Sequence, residues 1–404
     1  MNRLSLKYVL STTASLLCVD TDRFQTKIQL QSFSILKGVI YFMQERLQVN
    51  YNNSWCYDIV FDNSYENLGN ELKKLGLSNR KVCIICDTNT KQYMDDVKMN
   101  TKEYVDSVYS YVFQAGEENK TLDTVKNLYE YLIEAKFDRN DVLFALGGGV
   151  VGDLVGYTAA TYLRGIRFIQ LPTTLLSMVD SSIGGKTGVD FDSYKNMVGA
   201  FHQPICVYMN LSTLKTLPKV QFSAGMGEVI KYGYIKEFPF YQWLKDKHDE
   251  IMNQNYEVLR EMIYRSCLCK KEIVENDPLE KGERALLNFG HTLGHAIEKS
   301  MNFKLYHGQC VAIGMVAAIY MSAKRDMLTY EELKDSIELI QSFDLPVGVN
   351  CIDINRIIDA TKNDKKMEAG KIKFILLEKI GCGIIKSDVT DEEMVTALEY
   401  IMKL

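Results

Sequence analysis

The feature that most constrains the fold is a glycine-rich turn between an apolar run and a helical pattern. Asp141–Leu146 is apolar after its first residue, Gly147, Gly149 and Gly152 follow it, and a helical pattern covers Leu154–Tyr162. A strand that enters a helix through such a turn is typical of a parallel sheet. Glycines in the spacing G-x-G-x-x-G also let the backbone approach a pyrophosphate at the helix N-terminus. The pattern favours an α/β fold with a nucleotide site, although such glycines also serve helix–strand packing.

Other runs predict further strands of the same sheet. Trp55–Phe61, Val108–Phe113 and Phe168–Leu171 have strand patterns, and Lys81–Asp87 reads as a strand buried on both faces. In the usual dinucleotide fold the glycine turn follows the first strand and an acid lies about 20 residues further on. Neither holds here, so we expect a variant site in which Asp87, at a strand end, contacts the ribose.

The pattern changes to long helices from about Leu214. Helices are expected near 241–252, 255–276, 286–300 and 308–325, with two more near the C-terminus. Residues 1 to 53 show no clear periodicity. The sequence therefore predicts an N-terminal extension of unknown role (1–53), an α/β domain (54–215) and an all-α domain (216–404).

Histidine is rare in this chain and concentrated in one place. Three of the five histidines lie between positions 291 and 307, and His291 and His295 share one helix face. This predicts a metal site, an acid–base site or both, or else buried hydrogen-bonded histidines. Glu228 is an acid among apolar residues, on the same helix face as Lys231. One glutamate and two histidines are a common catalytic zinc set that leaves a position open for substrate or water.

Loop cations indicate an anionic and phosphorylated substrate. Gly185, Lys186 and Thr187 look like half of a P-loop, but the pattern needs glycine at position 180, which is Asp180, so an ATP-binding P-loop is rejected. The cations in question are Lys120, Arg164, Lys186, Lys195, Lys231, Arg284 and Lys366.

Composition excludes several classes of protein. A net charge of −5 argues against binding of nucleic acid by bulk electrostatics. No apolar run is long enough to span a membrane, which needs about 18 residues. The ten cysteines are scattered, with one CxxC at Cys83 and Cys86 inside an apolar run. This favours a reduced, cytoplasmic setting and argues against a zinc ribbon.

Several separated motifs together resemble the 3-dehydroquinate synthase family, from about Tyr57 to the C-terminus. They are the segments 147–153, Arg164–Gly165, 172–175, 178–187, Lys195–Asn196, 227–231, 284–295 and His307–Gly308. The resemblance implies a Rossmann-like NAD-binding domain, an α-helical metal-binding domain and a homodimer. It implies conversion of 3-deoxy-D-arabino-heptulosonate 7-phosphate to 3-dehydroquinate and phosphate in the shikimate pathway. The implied course is transient oxidation by NAD, phosphate elimination, reduction and intramolecular aldol closure, with Zn²⁺ or Co²⁺ as the metal.

The resemblance also implies roles for individual residues. The implied metal ligands are Glu228, His291 and His307, and His295 is the acid–base residue, assisted by Lys186 and Asn288. The implied substrate residues are Asp180, Lys186, Lys195, Asn196, Lys231, Arg284, Asn288 and Lys366, with Arg164 reaching the phosphate in the neighbouring subunit. The implied NAD contacts are Asp87, Asn89, Glu117, Lys120, Gly148, Gly149, Asp153, Thr173, Thr174 and Thr216.

One departure from the family pattern bears on these roles. The family commonly has Pro-x-Arg-Glu where this chain has Pro218, Lys219, Val220 and Gln221. The difference weakens the assignment of nucleotide contacts near 216–221.

Three other functions compete with this interpretation. Another sugar-phosphate cyclase would share the NAD and zinc machinery, but Arg284, Asn288 and Lys366 together favour the dehydroquinate product. A polyol dehydrogenase of similar fold would release NADH stoichiometrically. A non-catalytic NAD-binding protein would not need the complete set of one glutamate and two histidines.

Overall fold

The computed structural model describes residues 46–404, except 53, 193, 281, 302–303, 351, 363–366 and 369–370. Nearly all of the predicted extension, and Lys366, lie outside the described residues. The strands are β1 (Arg46–Tyr51), β2 (Ser54–Asp62), β3 (Lys81–Asp87), β4 (Ser107–Phe113), β5 (Val142–Gly147), β6 (Arg167–Pro172), β7 (Lys186–Phe191), β8 (Tyr194–Phe201), β9 (Cys206–Asn210), β10 (Met367–Glu368), β11 (Lys371–Ile372), β12 (Phe374–Lys379) and β13 (Cys382–Lys386).

The helices lie mainly in the second half of the chain. They are α1 (Leu68–Lys74), α2 (Met94–Met99), α3 (Leu122–Glu134), α4 (Gly149–Thr161), α5 (Lys219–Ile235), α6 (Phe238–Asp246), α7 (His248–Met252), α8 (Tyr256–Asn276), α9 (His291–Ser300), α10 (His307–Lys324), α11 (Tyr330–Ser342), α12 (Ile354–Lys362) and α13 (Asp391–Ile401). Short helical turns cover Lys91–Tyr93, Glu117–Asn119, Tyr162–Arg164, Ser177–Ser181, Leu211–Thr216 and Glu283–Asn288.

Seven strands form the main sheet in the order β1-β2-β9-β6-β5-β3-β4. Only the β1–β2 pair is antiparallel, and the remaining neighbours run parallel. The central strands are apolar on both sides because each face of the sheet packs against its own buried cluster. The predicted Rossmann-like sheet is confirmed, and its carboxyl edge carries Asp87, Gly147 and Pro172 at the ends of β3, β5 and β6.

The sheet begins earlier than the expected boundary at residue 54. Residues 46–51 form the edge strand β1 and pair with β2, although the sequence pattern placed them in the extension. An edge strand has a partner on one side only, and this one carries just two buried apolar residues, Leu47 and Val49. So short an alternation gave no clear period in the sequence.

The second half is helical, as predicted, but it is not all-α. β12 and β13 form an antiparallel hairpin, and β10 pairs with β11. Phe374, Ile375, Leu376 and Leu377 are buried, and a short apolar run of this kind fits a strand or a buried helix equally well. None of the helices in the described part of the chain is both long and apolar enough to cross a membrane.

Candidate active site

Two successive helices bring three histidines together. His291 opens α9, His295 follows one turn later, and His307 opens α10. Their ring centroids are 5.2 to 5.5 Å apart. One nitrogen from each ring lies within 4.8 Å of one nitrogen from each of the others, close enough to bind one cation.

Glu228 reaches the same cluster from α5. Its Oε1 lies 3.5 Å from His291 Nε2 and 3.6 Å from His307 Nε2. This oxygen is buried and has no hydrogen-bond partner, while Oε2 accepts from Lys231 one turn later. Leaving a buried acceptor unsatisfied costs about 1–3 kcal/mol, so an orphan oxygen facing two nitrogens indicates a place for a cation.

The distances fit a tetrahedral metal. Two ligands at about 2.0–2.1 Å from zinc in tetrahedral geometry stand roughly 3.3 Å apart. The separations from Glu228 Oε1 to the two histidine nitrogens are close to that value. The residues present therefore fit a divalent cation held by Glu228, His291 and His307. A set of all three histidines is also geometrically available, but it would leave the orphan oxygen of Glu228 unexplained.

The charge states of these groups suit a cation ligand. Burial raises the pKa of Glu228, but the charges of Lys231 and His307 outweigh burial and lower this pKa to about 2. Glu228 is therefore ionised at neutral pH. Burial lowers the pKa of His307, but the carboxylates of Glu228 and Glu298 raise it to about 9, so a cation must displace a proton there.

Three buried cations, Lys231, Lys270 and Arg284, lie near Asp180 and next to the histidine cluster. Lys270 Nζ donates to Asp180 Oδ1 and to the Asp180 carbonyl oxygen, both at 2.6 Å. Lys231 and Arg284 are also almost fully buried. Burial lowers the pKa of Lys270, and the nearby charges of Lys231 and Arg284 add to this effect. Lys231 is paired with Glu228, and Lys270 is paired with Asp180. Arg284, whose Nε is buried without a partner, is therefore the cation of this group that could bind an anionic ligand.

A second group links Lys186, the first residue of β7, and the neighbouring Gly184 to the segment before α9. The Lys186 ammonium pairs with Glu280, and Asn288 Nδ2 donates to Glu280 Oε1 at 2.9 Å. Arg284 donates to the carbonyl oxygens of Pro278 and Gly184 at 2.6 and 3.3 Å, whereas its Nε is buried without a partner. The structure thus brings together Lys186, Arg284 and Asn288, three of the residues to which the resemblance gives substrate roles.

Lys270 and Glu280 were not identified from the sequence. Lys270 lies on the buried side of the amphipathic helix α8, beside Cys267 and Cys269, and a lysine in a buried phase of a helix pattern is the signal that could have revealed it. Glu280 lies in a charged loop and has no comparable signal.

The predicted nucleotide residues lie at the carboxyl edge of the main sheet. Lys120 Nζ contacts Glu117 Oε1 at 2.9 Å, Asn196 Oδ1 at 2.8 Å and Asp153 Oδ2 at 3.4 Å. Burial raises the pKa of Asp153 to about 6, although Lys120 opposes this shift, whereas the neighbouring acids raise the pKa of Lys120. One buried lysine among several acids forms a polar cluster with donors and acceptors for hydroxyl groups.

The glycine turn lies in the middle of that edge. Gly148 is the N-cap of α4 and Gly149 is its first residue, directly after β5. A methyl group on Gly149 would lie 3.2 Å from Ser181 Oγ. Thr173 Oγ1 is buried without a partner at the end of β6. Backbone amides at a helix N-terminus and an unpaired hydroxyl suit a pyrophosphate.

Other predicted residues are placed less centrally. Asp87 is buried and accepts from the backbone and hydroxyl of Thr90 at 2.9 and 2.7 Å. Asn89 is exposed beside it. Thr174 bonds with Ser177 at 2.9 Å, and Thr216 contacts Tyr93. Arg164 is exposed, in a turn after α4 with φ of 67°.

Lys195 is connected to the histidine cluster through Glu298. Its Nζ lies 2.7 Å from Glu298 Oε1, and Glu298 Oε2 lies 3.3 Å from His307 Nδ1. The sequence placed Lys195 among the substrate residues, and it gave Glu298 no role.

Two family models match consecutive parts of the chain. The N-terminal model of 3-dehydroquinate synthase matches residues 110–224, and the C-terminal model matches residues 225–367. The 3-dehydroquinate synthase of Acetivibrio thermocellus is 41% identical over 353 residues, which cover 87% of this chain and 97% of that protein. The enzyme of the same name from Rippkaea orientalis is 42% identical over 334 residues, 81% of this chain and 91% of its own.

A solved structure shares the fold. The 2-epi-5-epi-valiolone synthase ValA from Streptomyces hygroscopicus subsp. jinggangensis, with NAD⁺ and Zn²⁺ bound, is similar with a TM-score of 0.81 and 25% identity. The match covers 88% of this chain and 99% of ValA. Matches of this length, which span both halves and include the residues of the buried cluster, show that the chain belongs to the 3-dehydroquinate synthase family.

Proposed function

We propose that this protein is a 3-dehydroquinate synthase, a lyase that converts 3-deoxy-D-arabino-heptulosonate 7-phosphate to 3-dehydroquinate and phosphate. Relatives of about 40% identity that match over nearly their whole length carry this name. The observation that carries the proposal is the buried, ionised Glu228, whose orphan oxygen faces His291 and His307 beside a group of buried cations. The product feeds the synthesis of aromatic amino acids.

NAD and a divalent cation, Zn²⁺ or Co²⁺, are the proposed cofactors. Glu228, His291 and His307 would hold the cation, and the carboxyl edge around Gly148, Gly149 and Lys120 would hold NAD. When bound, NAD takes up and returns a hydride while the cation polarises the substrate hydroxyl. ValA, which shares the fold, has both NAD⁺ and Zn²⁺ bound.

The chain's own residues then bind the substrate and move its protons. Arg284 supplies a positive charge that binds an anionic sugar acid, and Lys231 and Lys270 offer further donors beside it. Asp180 fixes Lys270. We assign the acceptance of the hydroxyl proton to His295, whose ring lies 5.2 Å from that of His291. Lys186 and Asn288 lie together through Glu280 and assist at the same position. Asn196 and Lys195 lie between the substrate residues and the nucleotide residues in this proposal. Asn196 accepts a hydrogen bond from Lys120, which belongs to the nucleotide group.

The halves of the chain divide this work. The α/β half up to about residue 215 binds the nucleotide, and the helical half supplies the cation ligands and most of the substrate residues. The proposed assembly is a homodimer in the cytoplasm, and Arg164 reaches the substrate phosphate in the neighbouring subunit. All eight cysteines that the structure describes with their burial are free thiols, which suits a reducing compartment.

The decisive experiment supplies the purified protein with heptulosonate 7-phosphate, Zn²⁺ and a catalytic amount of NAD⁺. Dehydroquinate and phosphate should form in equal amounts over many turnovers. The NADH concentration, measured by its absorbance, should never exceed the concentration of the enzyme. Stoichiometric NADH would instead support a polyol dehydrogenase. A different cyclitol, formed from the same or another sugar phosphate, would instead support another sugar-phosphate cyclase. This alternative is included because ValA, a valiolone synthase, shares the fold.

A further inference from the structure

Glu298 is a buried acid with no role in the function proposed above. It lies near the end of α9, two turns after His291, and is 4% exposed. Its two oxygens have different partners: Oε1 is 2.7 Å from Lys195 Nζ, and Oε2 is 3.3 Å from His307 Nδ1. Because burying an ionised acid is costly unless it is paired, this placement requires an explanation.

The contact with His307 bears on which ring nitrogen carries the proton. The other nitrogen, Nε2, faces the orphan oxygen of Glu228 at 3.6 Å. A neutral imidazole that binds a cation through Nε2 carries its proton on Nδ1. A carboxylate that accepts from Nδ1 selects this tautomer and fixes the plane of the ring. His291 has its own acceptor for the same purpose, since its Nδ1 lies 3.0 Å from the carbonyl oxygen of Phe289.

Lys195 holds the carboxylate from the other half of the chain. It lies in the hairpin strand β8, and its ammonium also lies 3.9 Å from Glu117 in the predicted nucleotide region. The ion pair is partly shielded, because the Lys195 side chain is 33% exposed and the Glu298 side chain is 6% exposed. Glu298 is therefore fixed on both sides, by a cation at Oε1 and by the ring at Oε2.

We propose that Glu298 is a positioning residue that orients His307 for cation binding, with Lys195 holding its carboxylate in place. The inference rests on the proposed function, since it assumes a cation at Glu228, His291 and His307. A purely structural ion pair between Lys195 and Glu298 would affect stability alone, whereas a positioning residue must also affect cation affinity.

The test measures Co²⁺ affinity without substrate. The full-length protein, its Glu298→Gln variant and a Glu261→Gln control are stripped of metal and titrated with Co²⁺ against a chromophoric chelator. Glu261 is an acid on α8 that pairs with Arg265 at 2.5 Å and lies outside the site, so its substitution also removes a helical ion pair. Visible Co²⁺ spectra report the ligand geometry, and thermal unfolding of the metal-free proteins reports stability.

Glu298→Gln should lower the Co²⁺ affinity roughly 10- to 100-fold and shift the Co²⁺ absorption bands, since loss of an outer carboxylate has effects of that size. The Glu261→Gln control should match the wild type in Co²⁺ affinity and in its absorption bands. Equal affinity and spectra for Glu298→Gln and wild type would overturn the inference, whereas a wild type that binds no Co²⁺ would overturn the proposed metal centre itself. If Glu298→Gln does not fold, Glu298→Asp replaces it, because it keeps the charge but withdraws the carboxylate from His307, and the same two outcomes apply.

Discussion

At the scale of single residues, His291 and His295 are two histidines whose spacing alone does not assign them separate roles. His291 and His295 lie one turn apart on α9, and all three rings of the cluster are close enough to share a cation. The surroundings of His291 are those of a cation ligand. His291 Nε2 faces the orphan oxygen of Glu228, and its Nδ1 is engaged by a backbone carbonyl. These contacts support the proposed ligand role of His291, and the proton-transfer role of His295 stays a prediction.

Substitution of each histidine should separate binding from catalysis. His295→Ala should lower kcat by about 10²- to 10⁴-fold while the protein retains a full equivalent of Zn²⁺, since only acid–base catalysis is lost. His291→Ala should lose both activity and bound metal. Metal content by atomic emission, together with turnover of heptulosonate 7-phosphate, provides the measurement. Loss of zinc from the His295→Ala protein would show that His295 is a ligand.

Asp153 gives a prediction about pH. Its pKa is raised to about 6 in the fold, mainly by burial, whereas an unfolded aspartate titrates near 3.8. The folded protein therefore holds a proton that the unfolded chain has released, so the contribution of Asp153 to stability is lost as pH rises from about 4 to 6. Asp153→Asn mimics the protonated acid and lacks this loss.

As pH rises from 4.5 to 7, the free energy of unfolding of the Asp153→Asn variant should increase relative to that of the wild type by about 2 kcal/mol. Urea unfolding of both metal-free proteins across this range measures the difference. A constant difference between the two proteins over the range would contradict a raised pKa for Asp153.

Residue by residue, the sequence reveals side chains that stand out from their local pattern. The three histidines stand out because the residue is rare in the chain, and Glu228 stands out because its neighbours are apolar. Glu280 could not be found in this way, because a glutamate in a charged loop is unremarkable until folding brings it to Lys186 and Asn288. Lys270 differs, because its position in the buried phase of the α8 pattern is visible in the sequence, although only the fold shows that its partner is Asp180.

At the scale of elements, the proposed metal ligands Glu228, His291 and His307 come together because three helices approach closely. A methyl group on Gly227 would lie 2.6 Å from the carbonyl oxygen of Gly308, and one on Gly308 would overlap the carbonyl oxygen of Ala224. The backbones of α5 and α10 are therefore in contact beside Glu228 and His307. Gly290 and Gly314 have the same relation where α10 meets the start of α9. Glycine at these crossings brings ligands from separate helices within reach of one cation.

Gly308→Ala should force α5 and α10 apart and damage both stability and metal binding. Overpacking of this kind costs roughly 1–3 kcal/mol, and the shift should lengthen the separation between Glu228 and His307. Chemical unfolding and Zn²⁺ titration measure the two effects. Wild-type zinc affinity in a destabilised Gly308→Ala protein would show that the ligand geometry does not depend on this crossing.

The same scale shows where sequence patterns succeed. The strands β2 to β6 match the predicted runs within a few residues, since buried parallel strands are continuous and apolar. The helix after the glycine turn begins at Gly149, five residues before the predicted start at Leu154, because glycines mask a helical period. The hairpin of β12 and β13 was missed, since an apolar run of four residues does not distinguish a strand from a buried helix.

At the scale of the whole molecule, Arg164 is the residue for which we propose a role in the neighbouring subunit. It is exposed, and the described part of the chain offers it no hydrogen bond or ion pair. Leu163 and Arg164 both adopt positive φ, 52° and 67°, in the turn that presents them. Such a conformation is costly for residues other than glycine and often marks a functional turn. An arginine projected outward on a strained turn suits contact with a second subunit.

Mixing two impaired variants tests whether Arg164 acts across a dimer. Arg164→Ala should lower kcat/KM roughly 10- to 100-fold by loss of a charged hydrogen bond to phosphate, and it should keep its bound zinc. In a mixed dimer with His295→Ala, one site combines the intact His295 of the first subunit with the intact Arg164 of the second. Random assortment makes about half of the dimers mixed, so refolding equal amounts together should recover about a quarter of wild-type activity. Recovery no greater than the mean of the two separate variants would place Arg164 in its own subunit's chemistry or outside the reaction altogether.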